Sequence, residues 1–480
     1  MIKQDKKWKA AIINLGCKVN KYEADAMKEK LSAKGFIMVE PEEIADFYIV
    51  NTCSVTNMAQ KKSRQMLRRA KRMNPNAVIV AAGCYVNAEY DALQGEDFAD
   101  ILVSNNCKKD IASILLAYVE QESFEDYYID INRTTEYEEM GHLTAERMDH
   151  QRAYIKIQDG CNQFCSYCII PYTRGRVRSR EAGHILDEIR HLASEGVKEF
   201  VLTGIHISSY GIDFRRKDAE YDDVMQMQQS LSEGTQEEQI TDLGTLVHAI
   251  ACIPEVQRIR LGSLEPRIIT EEFLKGLQTN EKFCPHFHLS LQSACDATLA
   301  RMNRKYRFED FAKSCEQIRQ YFDRPAITTD VIVGFPGETE EEFEETYANL
   351  VRLNLYEIHV FKYSVRERTV AAKLPNQISE QVKGERSERI LALTAAQKKE
   401  YEENLSGILD EVLIEEELMS ESPEYDCVEV VPVDEAPTPD GDLQSKETIK
   451  NYTGHTKRYV KVKLKEQGDI VNRVIKVKYR

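Results

Sequence analysis

The chain has 480 residues, 42% of them hydrophobic and 30% charged, a composition that excludes a disordered or fibrous protein and suits roughly three globular domains. Its start, MIKQDKKWKAAIINLGC, lacks the apolar core and cleavage site of a secretory signal, and no run is apolar enough to span a membrane, so a cytoplasmic chain with reduced thiols is expected. The net charge of -16 argues on average against a polyanion partner, but it is segregated: +7 over 58–73, +4 over 172–180 and +7 over 451–480, leaving -34 elsewhere. Such segregation suits a polyanion held at chosen places, although any one segment alone reads equally as a solvated helix or strand face.

From the N-terminus, apolar runs alternate with amphipathic stretches: AAIINL, a helix expected over 21–33 with Asn20 as its cap, DFYIVNT, a basic helix over 56–73, then AVIVAAG and ILVSN. This alternation predicts a parallel-sheet α/β domain over 8–120. Cys17, Cys53 and Cys84 each follow one of these runs, at the carboxyl ends of parallel strands, where residues distant in sequence converge. Three thiolates meeting there would hold a metal cluster; three small buried apolar residues would look the same in sequence. Cys107, after a fourth apolar run, is set aside as a ligand.

A polar, acidic and irregular connection is expected over 120–150. Over 147–378 six strand-like runs follow with helical stretches between them: YIKIQ, EFVLTGIHI, RIRLGSL, HFHLSLQ, ITTDVIVGF and EIHVFKYS. Six β/α units are too few to close an eight-fold barrel. Just after the first run, Gly160-CNQFCSYC places Cys161, Cys165 and Cys168 in CxxxCxxC spacing, with no fourth Cys or His before Arg180. Zinc would need a fourth ligand nearby, so a 4Fe-4S cluster with one open iron fits better. Residues 214–242 read as a polar surface insertion, 379–402 as a helix that Ser379 could cap, and 403–480 as a β-rich tail. Its strand candidates are GILDEVLIEEE, YTGHTKRYVKVKL and GDIVNRVIKVKYR, with Tyr459, Lys461, Lys463 and Lys465 on a basic outer face. The stretch 415–442, with eleven acidic residues and no basic one, reads as a mobile loop.

The CxxxCxxC run, with Tyr167 before its last cysteine, resembles the signature of radical S-adenosylmethionine (radical SAM) enzymes, which implies an open (β/α)6 partial barrel. Further motifs in order resemble that superfamily's cofactor contacts. Thr203 and Gly204 in TGI resemble the motif for the methionine amino group, Ser263 and Glu265 in GSLEP and Gln292 in LQSA the ribose and amino-acid contacts, and Gly334 and Gly337 in GFPGE the loop near the adenine. With LGCKVN, NTCSVT, AGCY, RGRVRSR and the basic tail, nearly the whole chain resembles the methylthiotransferases of that superfamily.

This resemblance implies two 4Fe-4S clusters, a radical-generating one on Cys161, Cys165 and Cys168 and an auxiliary one on Cys17, Cys53 and Cys84. It also implies a C-terminal TRAM β-barrel that grips nucleic acid, an electron-donor protein and a sulfur donor. One S-adenosylmethionine would methylate a sulfur on the auxiliary cluster, and a second would supply the radical that takes hydrogen from carbon 2 of an adenine. Lys18 and Arg178 lean toward the branch acting on N6-threonylcarbamoyladenosine beside the anticodon. Arg178 is expected to meet either the threonyl carboxylate or a phosphate, and the basic helix and tail to hold the tRNA anticodon stem-loop. The alternatives are N6-isopentenyladenosine in tRNA, a ribosomal-protein aspartate, and a non-catalytic iron-sulfur RNA-binding protein.

Overall fold

The computed structural model describes residues 7–121, 126–147, 151–214, 240–419, 428–431 and 449–480. The insertion expected over 214–242 lies almost wholly outside them. Among the described residues no helix is long and apolar enough to cross a membrane.

The first unit runs β1 (Lys9–Asn14), α1 (Lys18–Ala33), β2 (Ile37–Met38), β3 (Phe47–Thr52), α2 (Asn57–Met73), β4 (Val78–Gly83), α3 (Cys84–Leu93), β5 (Ile101–Val103) and α4 (Ile111–Gln121). Its sheet is parallel, in the order β2-β1-β3-β4-β5, so the strands that precede the three cysteines are direct neighbours. Alternation sorts its two faces: Phe47 and Ile49 join the large core shared with the rest of the chain, while Tyr48 and Val50 meet Leu67 and Ala70 of α2. Helix α2 is capped by the Thr56 hydroxyl, which accepts from the Ala59 amide at 3.1 Å. It buries Ser63, Leu67 and Ala70 at helical spacing and leaves Lys61, Lys62, Arg68, Arg69 and Arg72 exposed. Helix α1 starts at Lys18 rather than Lys21, and Asn20 is a brace rather than its cap.

The second unit contains β6 (Arg152–Asp159), α5 (Ile170–Thr173), β7 (Arg178–Ser179), α6 (Ala182–Ser194), β8 (Glu199–Gly204), α7 (Leu243–Ala251), β9 (Arg258–Leu261), α8 (Glu271–Gln278) and β10 (His286–Gln292). It continues with α9 (Asp296–Arg301), α10 (Phe308–Tyr321), β11 (Ala326–Val333), α11 (Glu340–Leu353), β12 (Glu357–Lys362) and α12 (Glu380–Glu403), the last capped by Ser379. All six expected runs are strands. β6-β8-β9 and β10-β11-β12 form parallel ladders, joined by bridges at Ile259–Phe283 and Leu264–Leu289. No ladder among the described residues returns from β12 to β6, so the barrel is partial.

The first unit fills that gap. Helix α1 packs on β6 and β8, while just beyond β12 Ser364 Oγ accepts from the Asn57 amide at 3.1 Å and Arg366 donates to Asn57 Oδ1 at 2.7 Å. The connection over 126–147 is irregular, as expected, but it is no loose linker. Buried Glu138 accepts from the amides of Asn106 and Lys109, and Glu139 pairs with Arg180 at 2.6 Å.

The tail folds as β13 (Leu409–Leu418), β14 (Val428–Val430), β15 (Ile449–Thr456), β16 (Lys461–Gln467) and β17 (Val474–Tyr479). They form an antiparallel sheet, β14-β17-β13-β15-β16, whose ends approach each other to make a nearly closed barrel. YTGHTKRYVKVKL, expected as one strand, is a hairpin of β15 and β16; Tyr459 turns the chain at φ 67°. Part of the expected acidic loop is also strand, since 415–418 ends β13 and 428–430 is β14; 420–427 and 432–448 lie outside the described residues.

The outer face is basic at Lys461 and Lys465, but Tyr459 points inward. Its ring stacks on His286 and His455, with centroids 4.5 and 4.9 Å away, and Arg260 lies over it. Below it, buried Glu199 accepts from Arg260 at 2.8 Å and forms an ion pair with Arg258 at 2.7 Å, and both arginines also donate to barrel carbonyls, Arg260 to those of Lys457 and Thr456. Replacing Glu199 by glutamine leaves two buried guanidiniums uncompensated, so it is expected to cost about 3–5 kcal/mol. Calorimetry should show a lowered unfolding midpoint and earlier release of the small barrel.

Candidate active site

The carboxyl edge of the first sheet is held in shape by side chains that the motifs supply. Asn20 donates to the carbonyls of Leu15 and Thr52 at 2.7 and 3.0 Å, tying the Cys17 loop to the Cys53 loop. Asn51 donates to the Asn20 carbonyl at 2.8 Å, and the Ser63 hydroxyl donates to the Cys53 carbonyl at 3.1 Å. Gly16 has φ 105°, and a Cβ there would sit 3.0 Å from Cys53 Sγ, so only glycine lets the loops meet. Gly83, φ 97°, faces the same demand from Asn51 Oδ1 at 3.0 Å. Burial first, and then the neighbouring Cys84 and Cys17, push the Cys53 thiol up to about 11.

Beneath these cysteines lies a buried charge cluster. Arg174 Nε donates to Cys84 Sγ at 3.3 Å; its terminal nitrogens donate to Glu23 at 2.8 and 3.0 Å, to both Asp159 oxygens at 3.1 Å and to Asn20 Oδ1 at 2.8 Å. Lys108 and Lys156 complete the ring, 2.5 and 2.7 Å from Glu23. Burial would raise the Glu23 pKa, but Arg174, Lys108 and Lys156 outweigh it and hold the carboxyl well below the usual range. The cluster thus joins the first sheet to the first barrel strand with cations in excess, next to three thiols.

At the carboxyl end of β6, Cys161, Cys165 and Cys168 line a cavity of about 380 Å³ together with Tyr167, Ser263, Glu265, Gln292 and Asp330. Val55 and Thr56, two and three residues after Cys53, form part of its wall, which brings the loop that carries Cys53 to the edge of the cavity. Burial drives the Cys161 thiol up to about 12 and, with Cys165 and Cys161 beside it, raises Cys168 as well. Thiols crowded in this way ionise together only when a cation replaces their protons. Three sulfur donors in each set fit a 4Fe-4S cluster with an open position.

The other expected residues divide. Glu265 is buried; desolvation would raise its pKa, but His206, 3.3 Å away, and Arg267 hold it at about 2, a fixed negative charge at the cavity wall. Thr203 and Gly204 end β8 without lining the cavity, which Ile205 and His206 do instead. Gly334 and Gly337 shape the turn behind it, where Phe335 packs edge-on to Tyr167 and Tyr363. Arg178 lies apart from these residues. The pairing of β7 with β6 turns it into the interior, 1% exposed, where it lies 3.8 Å from Asp159 and donates to Asn106 Oδ1. It does not line the cavity.

Sequence reasoning missed Arg304, which donates to Cys165 Sγ at 3.2 Å and to the Ser290 carbonyl at 3.3 Å. It sits in the run RMNRKY, which carries no periodicity or motif to single it out. Asp330 was also missed, and it lies between His288 and His359, 3.3 Å from each. The hydrogen bond to Asp330, and then Glu357, raise the His359 pKa to about 9. Since the folded value exceeds that of the free side chain, this charge pair stabilises fully below pH about 6.5 and is lost as pH rises toward 9. An NMR titration should place the His359 midpoint near 9, and Asp330→Asn should bring it back toward the ordinary value.

Comparison with known proteins agrees with this construction. The radical SAM superfamily matches residues 155–350, and the uncharacterized protein family UPF0004 matches 9–107. The Bacillus subtilis (strain 168) protein "Threonylcarbamoyladenosine tRNA methylthiotransferase MtaB" is 35% identical over 98% of this chain and 93% of its own length. The protein of that name from Aquifex aeolicus is 36% identical over 85% of this chain and 93% of its own length. A Thermoanaerobacter "tRNA-2-methylthio-N(6)-dimethylallyladenosine synthase" is 33% identical over 83% of this chain and 80% of its own length. In fold, the radical S-adenosylmethionine methyltransferase TsrM from Kitasatospora setae superposes with a TM-score of 0.53 at 15% identity, covering 76% of this chain and 74% of that one. With two cysteine sets in place and a relative matched almost end to end, the chain belongs to the methylthiotransferase family of radical SAM enzymes.

Proposed function

We propose that this chain converts N6-threonylcarbamoyladenosine beside the anticodon of tRNA to its 2-methylthio derivative. The reading is carried by the end-to-end similarity to proteins named for that reaction, taken together with a cavity lined by one cysteine set and by the loop that follows Cys53 of the other. Carbon 2 of adenine has no acidic hydrogen, so no acid or base among the cavity residues could activate it. When bound, the two clusters and S-adenosylmethionine supply the radical that removes that hydrogen and the sulfur that replaces it.

The chain's own residues have the remaining tasks. Cys161, Cys165 and Cys168 would hold one cluster, and Cys17, Cys53 and Cys84 the other. Ionised Glu265 offers an acceptor to the cofactor's ammonium, and Ser263 and Gln292 present polar groups beside it. Tyr167, Phe335 and Tyr363 form an aromatic wall that keeps water from a reactive intermediate. Arg304 and Arg174 donate to one cysteine of each set, stabilising thiolate charge.

Functionally, 8–120 would carry the auxiliary cluster, 147–378 the radical chemistry, 379–402 the link, and 403–480, with α2, the grip on the anticodon stem-loop through phosphates. That grip is expected to weaken steeply as salt rises. An electron-donor protein and a separate sulfur donor would complete the cycle, in the cytoplasm where thiols stay reduced. The reading is tested by anaerobic reconstitution with iron and sulfide. Addition of dithionite and S-adenosylmethionine should yield 5′-deoxyadenosine, and a reconstituted chain that yields none would rule the enzyme out.

A further inference from the structure

The cofactor cavity adjoins a second cleft of about 520 Å³, floored by Gln60, Arg64 and Arg68 of α2 and walled by Tyr85 and Glu89. Arg366 lines both. It is 4% exposed, and among the described residues its guanidinium has one hydrogen-bond acceptor, Asn57 Oδ1 at 2.7 Å, while its buried Nε has none. Arg178, Arg258 and Arg386 also have a buried Nε without a hydrogen bond, so the difference from the other buried arginines lies in the counter-charge. Arg174, Arg178, Arg180, Arg258, Arg260 and Arg386 each have a carboxylate within ion-pair distance. Glu89 and Glu367 act on Arg366 only from farther away, as does Cys53 of the auxiliary set. A buried cation without a counter-charge is costly, so the position is built for an anion that arrives with a ligand.

We infer that Arg366 receives the threonyl carboxylate of the modified adenosine and so sets the choice of substrate. The inference rests on the substrate reading above. Two observations favour a carboxylate on the base over a backbone phosphate. Arg366 lies inside, at the wall shared with the cavity where carbon 2 must react and close to Cys53, whereas Lys61, Lys62, Arg68 and Arg69 offer cations for phosphates on the exposed face of α2. Its planar fork, with an unused donor, also matches a carboxylate. An apolar isopentenyl arm would leave the guanidinium unpaired, so the same residue would reject that substrate.

The test titrates two anticodon stem-loops into the reconstituted full chain at fixed salt and follows fluorescence anisotropy. One carries N6-threonylcarbamoyladenosine; the other carries the same base with the threonine carboxylate converted to its primary amide. The unaltered chain is expected to prefer the carboxylate about ten- to a hundred-fold. R366Q should erase that preference while leaving affinity for the amide within about twofold, and R366K should keep part of it. Both ligands meet the same preparation, so their ratio is independent of the active fraction. A preference that survives in R366Q, or a loss that is equal for both ligands, as a phosphate contact would give, overturns the assignment. Lack of turnover of the threonylcarbamoylated stem-loop by the unaltered chain would instead remove the substrate reading.

Discussion

An Arg174→Gln variant is expected to lose about 3–5 kcal/mol of stability and to bind its auxiliary cluster at a lower reduction potential. The guanidinium is fully buried and satisfies Glu23, Asp159, Asn20 and Cys84 at once. Glutamine cannot reach all four and carries no charge. Lys108 and Lys156 still face Glu23, and Lys156 still faces Asp159, which keeps the loss from being larger. Losing the N–H donor to Cys84 concentrates negative charge on that thiolate, which disfavours adding an electron to a cluster bound there. Chemical denaturation and an electron paramagnetic resonance redox titration check the two halves. A variant with the original midpoint and the original potential would contradict both. The cluster should also be acid-labile: the carboxyl of Glu23 is depressed, so its contribution is present above the ordinary carboxylate range and lost as pH falls below it.

Cys53→Ala is expected to separate the two halves of the chemistry. It removes one of three ligands from the first set and leaves Cys161, Cys165, Cys168 and Glu265 unchanged. Iron content should fall to that of a single cluster and methylthiolated nucleoside should disappear, while 5′-deoxyadenosine still forms from S-adenosylmethionine. Cys165→Ala should do the reverse, keeping the first set and abolishing 5′-deoxyadenosine. Chromatography of the products with iron analysis of each variant provides the check. Retention of methylthiolation in Cys53→Ala would refute the auxiliary-ligand assignment.

Much of this was legible in the sequence because it is written in local patterns. The six barrel strands and the placing of Cys17, Cys53 and Cys84 at strand ends follow from alternation and run length, and the order β1-β3-β4 then makes the three neighbours. What escaped depends on contacts between distant residues. Asn20 looks like a helix cap, and its bond to the Thr52 carbonyl exists only once β1 and β3 lie side by side. Arg178 looks like a free cation in a basic run, but the two-residue pairing of β7 with β6 buries it. The β15–β16 hairpin was hidden because its turn, at Tyr459, contains neither glycine nor proline. Arg366 stands in the run SVRERTV without a motif, and its position as a buried arginine with no carboxylate at ion-pair distance among the described residues appears only when the first unit closes the barrel.

The most direct measurement is mass spectrometry of tRNA nucleosides from cells with and without this chain. The account predicts that 2-methylthio-N6-threonylcarbamoyladenosine disappears without it, that N6-threonylcarbamoyladenosine accumulates in its place, and that 2-methylthio-N6-isopentenyladenosine is unchanged. An unaltered level of the methylthiolated threonylcarbamoyl nucleoside in cells with no second enzyme of this kind would contradict the account.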